Sequence, residues 1–186
     1  MNILIIDNRT CHLRALKNRL EGHIIRVVKY RHYQDSDEAN ADLIILSGGH
    51  TSVLRHGRFY TREIDFIRLT TKPIIGICLG HELIAKTYGI RPSRMLRKAH
   101  GIKHIKLMSD VQSNMSNTLK VYEAHRYAVK DLPAKFRQVA GSARGVEVMM
   151  SPELKRFSVQ FHPEVIEPAN QGMEIFNYLL SLAILE

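Results

Sequence analysis

Apolar positions along the chain fall into two textures, and the change between them divides it in half. Residues 3–6 are an unbroken apolar run ended by the turn pair Asp7-Asn8, after which Leu13, Leu16 and Leu20 recur at helical spacing up to Gly22. That pattern predicts strand, turn, helix. A β-branched run over 24–28 and a continuous apolar run over 42–46 read as further strands, the second of the kind buried on both faces of a parallel sheet. Ile64, Phe66 and Ile67 mark a helix within 60–69, which leads into an apolar strand from Pro73. From about residue 102 the apolar runs shorten. Strands are predicted at 102–107, 119–123, 136–140, 146–150 and 157–161, separated by Ser, Asn, Asp, Pro and Gly with no strong helical pattern between them. A closing amphipathic helix over 172–182 carries Ile175, Phe176, Leu179 and Leu180. The expected fold is therefore α/β, a doubly wound and mostly parallel sheet flanked by helices, with an antiparallel or mixed extension in the second half. At 186 residues, without repeat or linker, one domain over 1–186 is expected.

The stretch around which the rest is organised is Pro73-Ile74-Ile75-Gly76-Ile77-Cys78-Leu79-Gly80-His81-Glu82, a strand that stops at a cysteine between two glycines and passes at once into a helical pattern. A residue on so sharp a strand-to-helix turn sits in a strained backbone conformation, which its neighbours tolerate only where no Cβ clashes with the adjoining elements. Gly76 and Gly80 meet that need. The turn is expected to present Cys78 Sγ to solvent at a helix N-terminus, where free N–H groups favour thiolate over thiol. Taken alone, the same pattern also fits a small buried cysteine that closes a core strand.

Composition narrows the classes. Twenty-seven Lys and Arg stand against 18 Asp and Glu, a formal charge of +9, spread over residues 14–19, 26–31, 55–68 and 91–106. No dense basic stripe with interleaved aromatic residues appears, so a nucleic-acid role is not expected, whereas an acidic partner surface is compatible. Two cysteines, Cys11 and Cys78, build no disulfide framework and fit a reducing cytoplasm. The opening apolar run is too short for a signal or a membrane span. The histidines show no metal-ligand spacing, and neither metal nor cofactor is expected.

Two further motifs complete a constellation. His162-Pro163-Glu164 follows the last predicted strand; an extended tripeptide there would align the two polar side chains, giving Cys78 a base and the base an orienting carboxylate. Ser47-Gly48-Gly49 ends a buried strand, and a backbone N–H from it, with that of Leu79, could hold an oxyanion. Each motif alone is equally at home as a strand end or a common turn.

Together, Ser47-Gly48-Gly49, Gly76-Ile77-Cys78-Leu79-Gly80-His81-Glu82-Leu83-Ile84-Ala85 and Val159-Gln160-Phe161-His162-Pro163-Glu164-Val165 resemble the class I, or triad, glutamine amidotransferases. The resemblance covers nearly the whole chain. It implies a glutaminase in which Cys78 attacks the side-chain amide of L-glutamine, His162 moves the protons, Glu164 orients it, and Gly49 and Leu79 supply the oxyanion N–H groups. Gly48, Glu82, Gly101 and Ile102 would be substrate contacts. Within the class the nearest likeness is to the glutaminase subunits of GMP synthetases, carried by Asp7-Asn8, Glu123-Ala124-His125, Leu132-Pro133-Ala134-Lys135-Phe136 and Val165 with Gln171-Gly172-Met173. It implies an ATP-pyrophosphatase synthetase partner. Three positions depart from the pattern: His50 in place of a proline, Glu82 in place of a glutamine, and Arg126-Tyr127 where an acidic residue is usual. Glu82 leaves open a free-standing γ-glutamyl peptidase or hydrolase; the further alternatives are a component of anthranilate or aminodeoxychorismate synthase, against which Val165 argues, and a non-catalytic module on the same fold, against which the intact Cys78, His162 and Glu164 count.

Overall fold

The structure, a computed structural model, describes residues 1–51, 57–109 and 115–184, so Arg55 of the third basic stretch lies outside the described residues. Among the described residues nine strands join one sheet: β1 (Asn2–Asp7), β2 (Ile24–Lys29), β3 (Leu43–Leu46), β4 (Ile74–Ile77), β5 (Ser93–Leu107), β6 (Thr118–Ala128), β7 (Arg137–Ser142), β8 (Gly145–Ser151) and β9 (Arg156–Val159). Their order across the sheet is β2-β1-β3-β4-β9-β8-β7-β5-β6. β2, β1, β3, β4 and β9 are parallel, and β8, β7, β5 and β6 continue the sheet antiparallel. The helices are α1 (Leu13–Arg19), α2 (Thr61–Leu69), α3 (Leu79–Thr87) and α4 (Gly172–Ile184).

Strand alternation sorts the apolar side chains into two layers. Ile3, Ile5, Leu43, Ile45, Ile75, Ile77, Phe157 and Val159 pack on one face with Leu16 and Leu20 of the α1 segment and Ile175, Phe176 and Leu179 of α4. Leu4, Ile6, Ile44, Leu46 and Ile74 pack on the other with Phe66 and Ile67 of α2 and Leu83 and Ile84 of α3. Burial on both faces is why the central strands read as unbroken apolar runs rather than alternating ones. The nine expected strands and the expected helices are all present. β5 differs in length: it starts at Ser93 rather than near residue 102. Its first half is irregular, because the register with β6 jumps from Arg94 opposite Tyr127 to Ala99 opposite His125. Met95, Leu96, Arg97 and Lys98 thus face Arg126 alone, and a bulge of that size erases the period-two signal.

A buried arginine holds the approach to β4. Arg156, at the start of β9, is 2% exposed and donates to the carbonyl oxygens of Ile67 at 2.8 and 3.1 Å, Thr70 at 2.6 Å, Lys72 at 3.0 Å and Leu154 at 2.7 Å. Most of these are orphan carbonyls at the end of α2 and in the loop to β4, and one planar guanidinium satisfies them together. Arg156→Met should therefore lower unfolding stability by at least about 3 kcal/mol, since each carbonyl left dry costs about 1–3 kcal/mol. Denaturant titration followed by circular dichroism checks this, with Arg156→Lys recovering part of the loss.

Candidate active site

Cys78 occupies the turn between β4 and α3 with φ 51° and ψ −98°, a left-handed conformation that costs a non-glycine residue about 1–3 kcal/mol. Its N–H donates to Val159 O at 2.8 Å and its carbonyl accepts from Glu82 N at 3.1 Å, so β9 and α3 hold the strain in place. The flanking glycines are sterically required. A Cβ on Gly76 would lie 2.6 Å from Gly80 C and O, and one on Gly80 would lie 2.5 Å from Leu46 O in β3. The cysteine itself is 4% exposed, not open to bulk solvent as expected; it lies at the wall of a cavity, because β3 and β9 close around the turn.

That cavity, about 610 Å³, is lined by Gly49, His50 and Thr51 of the loop after β3, by Cys78, Leu79 and Glu82, and by Arg94, Lys98 and Ala124–Tyr127 from the β5–β6 ribbon. His162 approaches Cys78 from beyond β9. Its ring hydrogen-bonds Cys78 on one side and Glu164 Oε1, 2.9 Å from Nδ1, on the other. Burial disfavours the imidazolium, but Cys78 and Glu164 together outweigh it and hold the pKa of His162 well above the ordinary imidazole value. The His-Pro-Glu segment is not extended: Val165 N–H returns to His162 O at 3.4 Å, and Asn170 Nδ2 binds His162 O and Val165 O at 3.0 and 2.9 Å. A turn pinned by Asn170, rather than strand alternation, brings His162 and Glu164 together. Gly48 faces the ring so closely that a Cβ there would lie 2.8 Å from His162 Cε1.

The loop carrying Gly48 and Gly49 is anchored by Asn8, of the Asp7-Asn8 pair that carries part of the family likeness, and through it by Glu63, which no motif announced. Asn8 N–H donates to Ser47 Oγ at 2.8 Å, and Asn8 Nδ2 donates to Glu63 Oε1 at 2.9 Å. Burial raises the pKa of Glu63 to about 8, against the opposing hydrogen bond from Asn8. Gly49 sits against Asn8 O and the Leu79 side chain, with 2.3 and 2.7 Å left for a Cβ, which places its backbone beside the first residue of α3. His12 packs edge-on to His162, ring centroids 5.1 Å apart, and its pKa is lowered by burial and by the charge of His162.

Behind the cavity wall runs a buried polar chain. His125 Nδ1 faces Tyr127 O at 2.6 Å and His125 Nε2 faces Glu123 Oε2 at 3.2 Å, so both hydrogen bonds form only when both ring nitrogens carry protons. Arg144 donates to Glu123 Oε1 at 2.7 Å, and Ser142 to Glu147. Donor atoms of Glu123, His125 and Glu147 lie within 4.8 Å of one another, close enough for a metal. The Arg144 guanidinium already supplies the countercharge to Glu123, and a second cation there would meet it. Glu82, at the cavity floor, has its pKa raised to about 7 by burial, with His125 and Gln160 pulling the other way. Of the sequence-named residues, Gly49, Cys78, Leu79 and Glu82 line the cavity, and Gly48, His162 and Glu164 stand immediately behind it. Gly101 and Ile102 do not; they pair with Glu123 and Tyr122 farther along the ribbon.

Comparison with known proteins places this arrangement. The family model "Glutamine amidotransferase class-I" matches residues 4–182. A protein of Saccharolobus solfataricus, named as a glutamine-hydrolysing GMP synthase subunit, is 35% identical over 144 residues, 76% of each chain. Its Methanococcus vannielii namesake is 32% identical over 184 residues, 95% of this chain and 94% of that one. Among solved structures, a glutamine amidotransferase of Thermotoga maritima superposes with a TM-score of 0.79 at 19% identity, covering 100% of this chain and 96% of the other, a likeness of fold. The chain belongs to the class I glutamine amidotransferase family.

Proposed function

We propose that this chain is the glutaminase subunit of a two-chain GMP synthetase, hydrolysing L-glutamine to glutamate and ammonia for a separate ATP-pyrophosphatase subunit. The observation that carries the reading is Cys78 on its strained turn at the cavity wall, hydrogen-bonded to a His162 that Glu164 holds from behind. The relatives named as glutamine-hydrolysing GMP synthase subunits support the choice of synthetase. Two free cysteines, with no helix among the described residues long and apolar enough to cross a membrane, are compatible with the cytoplasm.

The chemistry follows from the geometry. Cys78 Sγ attacks the side-chain carbonyl carbon of glutamine, and the oxyanion that forms is met by the N–H groups of Gly49 and Leu79, the latter a first-turn donor of α3. The His162 imidazolium protonates the departing nitrogen, ammonia leaves, and a γ-glutamyl thioester remains on Cys78. His162, now neutral, takes a proton from water as the water attacks the thioester; glutamate is released and the Cys78–His162 pair is restored. Glu164 keeps Nδ1 protonated throughout, so that Nε2 faces the sulfur. A glutamine-analogue electrophile should label Cys78 and leave the exposed Cys11 unmodified, read by peptide mass spectrometry. Cys78→Ala should abolish turnover, while Glu164→Gln lowers kcat by about 10²-fold, within the range for positioned proton transfer. Labelling confined to Cys11 would overturn the assignment.

Glu82 gives the substrate its orientation in this reading: its carboxylate holds the α-ammonium of glutamine. With its pKa raised to about 7, ionisation should strengthen binding as pH rises, so KM for glutamine falls between mildly acidic and mildly alkaline pH. Glu82→Gln should raise KM, flatten that pH dependence and leave kcat nearly unchanged. A pH profile of KM identical in both proteins would return Glu82 to a buried structural role.

A further inference from the structure

The β5 bulge collects charge that the sequence left looking scattered. β5 contains no acidic residue, and Arg94 at the edge of its bulge and Leu96, Arg97 and Lys98 within it are all exposed, Leu96 at 103% of its full accessible surface. Arg126, the lone residue opposite, is exposed as well. Among the described residues no carboxylate pairs with any of these four cations. Arg94, Lys98 and Arg126 also line the cavity, so the patch runs without a break into the mouth above Cys78. An unpaired basic rim around one protruding aliphatic side chain has the make-up of a docking anchor: an apolar centre to be desolvated, with charge around it to steer and orient.

We propose that the β5 bulge, with Leu96 as apolar anchor and Arg94, Arg97, Lys98 and Arg126 as its rim, docks an acidic surface of the synthetase subunit over the mouth of the cavity. The occupant is a protein rather than a nucleic acid because a fully exposed aliphatic side chain at the centre of the patch calls for an apolar pocket, while the bulge carries no Phe, Tyr or Trp on which bases could stack and Tyr127, opposite Arg94, is half-buried in the cavity wall. The proposal rests on the glutaminase-subunit reading, which names the partner. It adds which face meets that partner and through what chemistry.

The test uses the whole chain and the recombinant ATP-pyrophosphatase subunit of GMP synthetase from the same organism, with binding followed by calorimetry over a salt series. Leu96→Asp and Arg97→Glu, neither of which lines the cavity, should each weaken binding at least about tenfold. Arg19→Glu, an exposed position in α1 near the opposite sheet edge, removes the same charge as Arg97→Glu and should leave affinity unchanged. Wild-type affinity should fall as salt rises. Equal affinities for all variants, an equal loss in Arg19→Glu, or no binding by the wild type would overturn the proposal. So would binding of a structured RNA probe, weakened by the same two substitutions, in place of the synthetase. Cys78-dependent glutamine hydrolysis, assayed with and without the partner, reads the underlying function separately. Leu96-dependent binding without any such hydrolysis would uphold the docking face and remove the glutaminase reading.

Discussion

One close backbone approach governs the rest of the molecule. At the β4–α3 turn, Gly76 lies against Gly80, and Gly80 against the Leu46 carbonyl, with no room for a single added carbon at either position. This contact seats α3 on the sheet, forces Cys78 into a left-handed conformation and fixes where its side chain emerges. Strain of that kind persists only when neighbours over-determine it. Here they are the Val159 carbonyl of β9, which accepts from Cys78 N–H, and the helix that begins one residue later. The sheet order matters for the same reason: β9 lies beside β4, so the segment after β9 delivers His162 to the cysteine.

Around that fixed point the polar groups divide by the charge they can carry. His162 sits between Cys78 and Glu164 and is held as a cation, whereas neighbouring His12, partly buried beside that charge, is held neutral. His81, fully buried on α3 with Nδ1 2.9 Å from Ser158 Oγ, has its pKa lowered to about 3 by burial and then by His125. One histidine in this region is thus charged because of what surrounds it, and two are kept uncharged by the same rules. Burial raises the pKa of Glu63 to about 8 and so favours its uncharged form, while Oε1 accepts from Asn8 and ties the carboxyl to the loop beside the site.

Much of this was legible in the chain. The unbroken apolar runs at 3–6, 42–46 and 73–77 announce strands buried on both faces, and the spacing of Gly76, Cys78 and Gly80 announces the turn, because each rests on local geometry. The likeness of three motifs to one family supplied the grouping of Cys78, His162 and Glu164. What escaped depends on partners that leave no mark in sequence. Arg156 belongs to no motif, because its main partners are backbone carbonyls 84–89 residues away, and a carbonyl is the same whatever residue carries it. Glu63 likewise stands in no motif, and its partner Asn8 is brought to it across 55 residues. The bulge in β5 hid that strand's first half, since four residues opposite one cannot alternate.

β6 has a strand neighbour on one side only, yet its outer groups at Lys120 and Tyr122 are taken: their N–H groups donate to Gln171 Oε1 and Asn170 Oδ1, and their carbonyls accept from the N–H groups of Gln171 and His162. Its exposed positions include Lys120 and Arg126, and the adjoining strand adds Lys103 and Lys106 without a compensating acid. A second copy approaching this edge would meet that covering segment and these like charges before any free backbone group of Lys120 or Tyr122. The segment that delivers His162 to Cys78 thus also caps the outermost strand, so the site and the margin of the sheet share one set of hydrogen bonds.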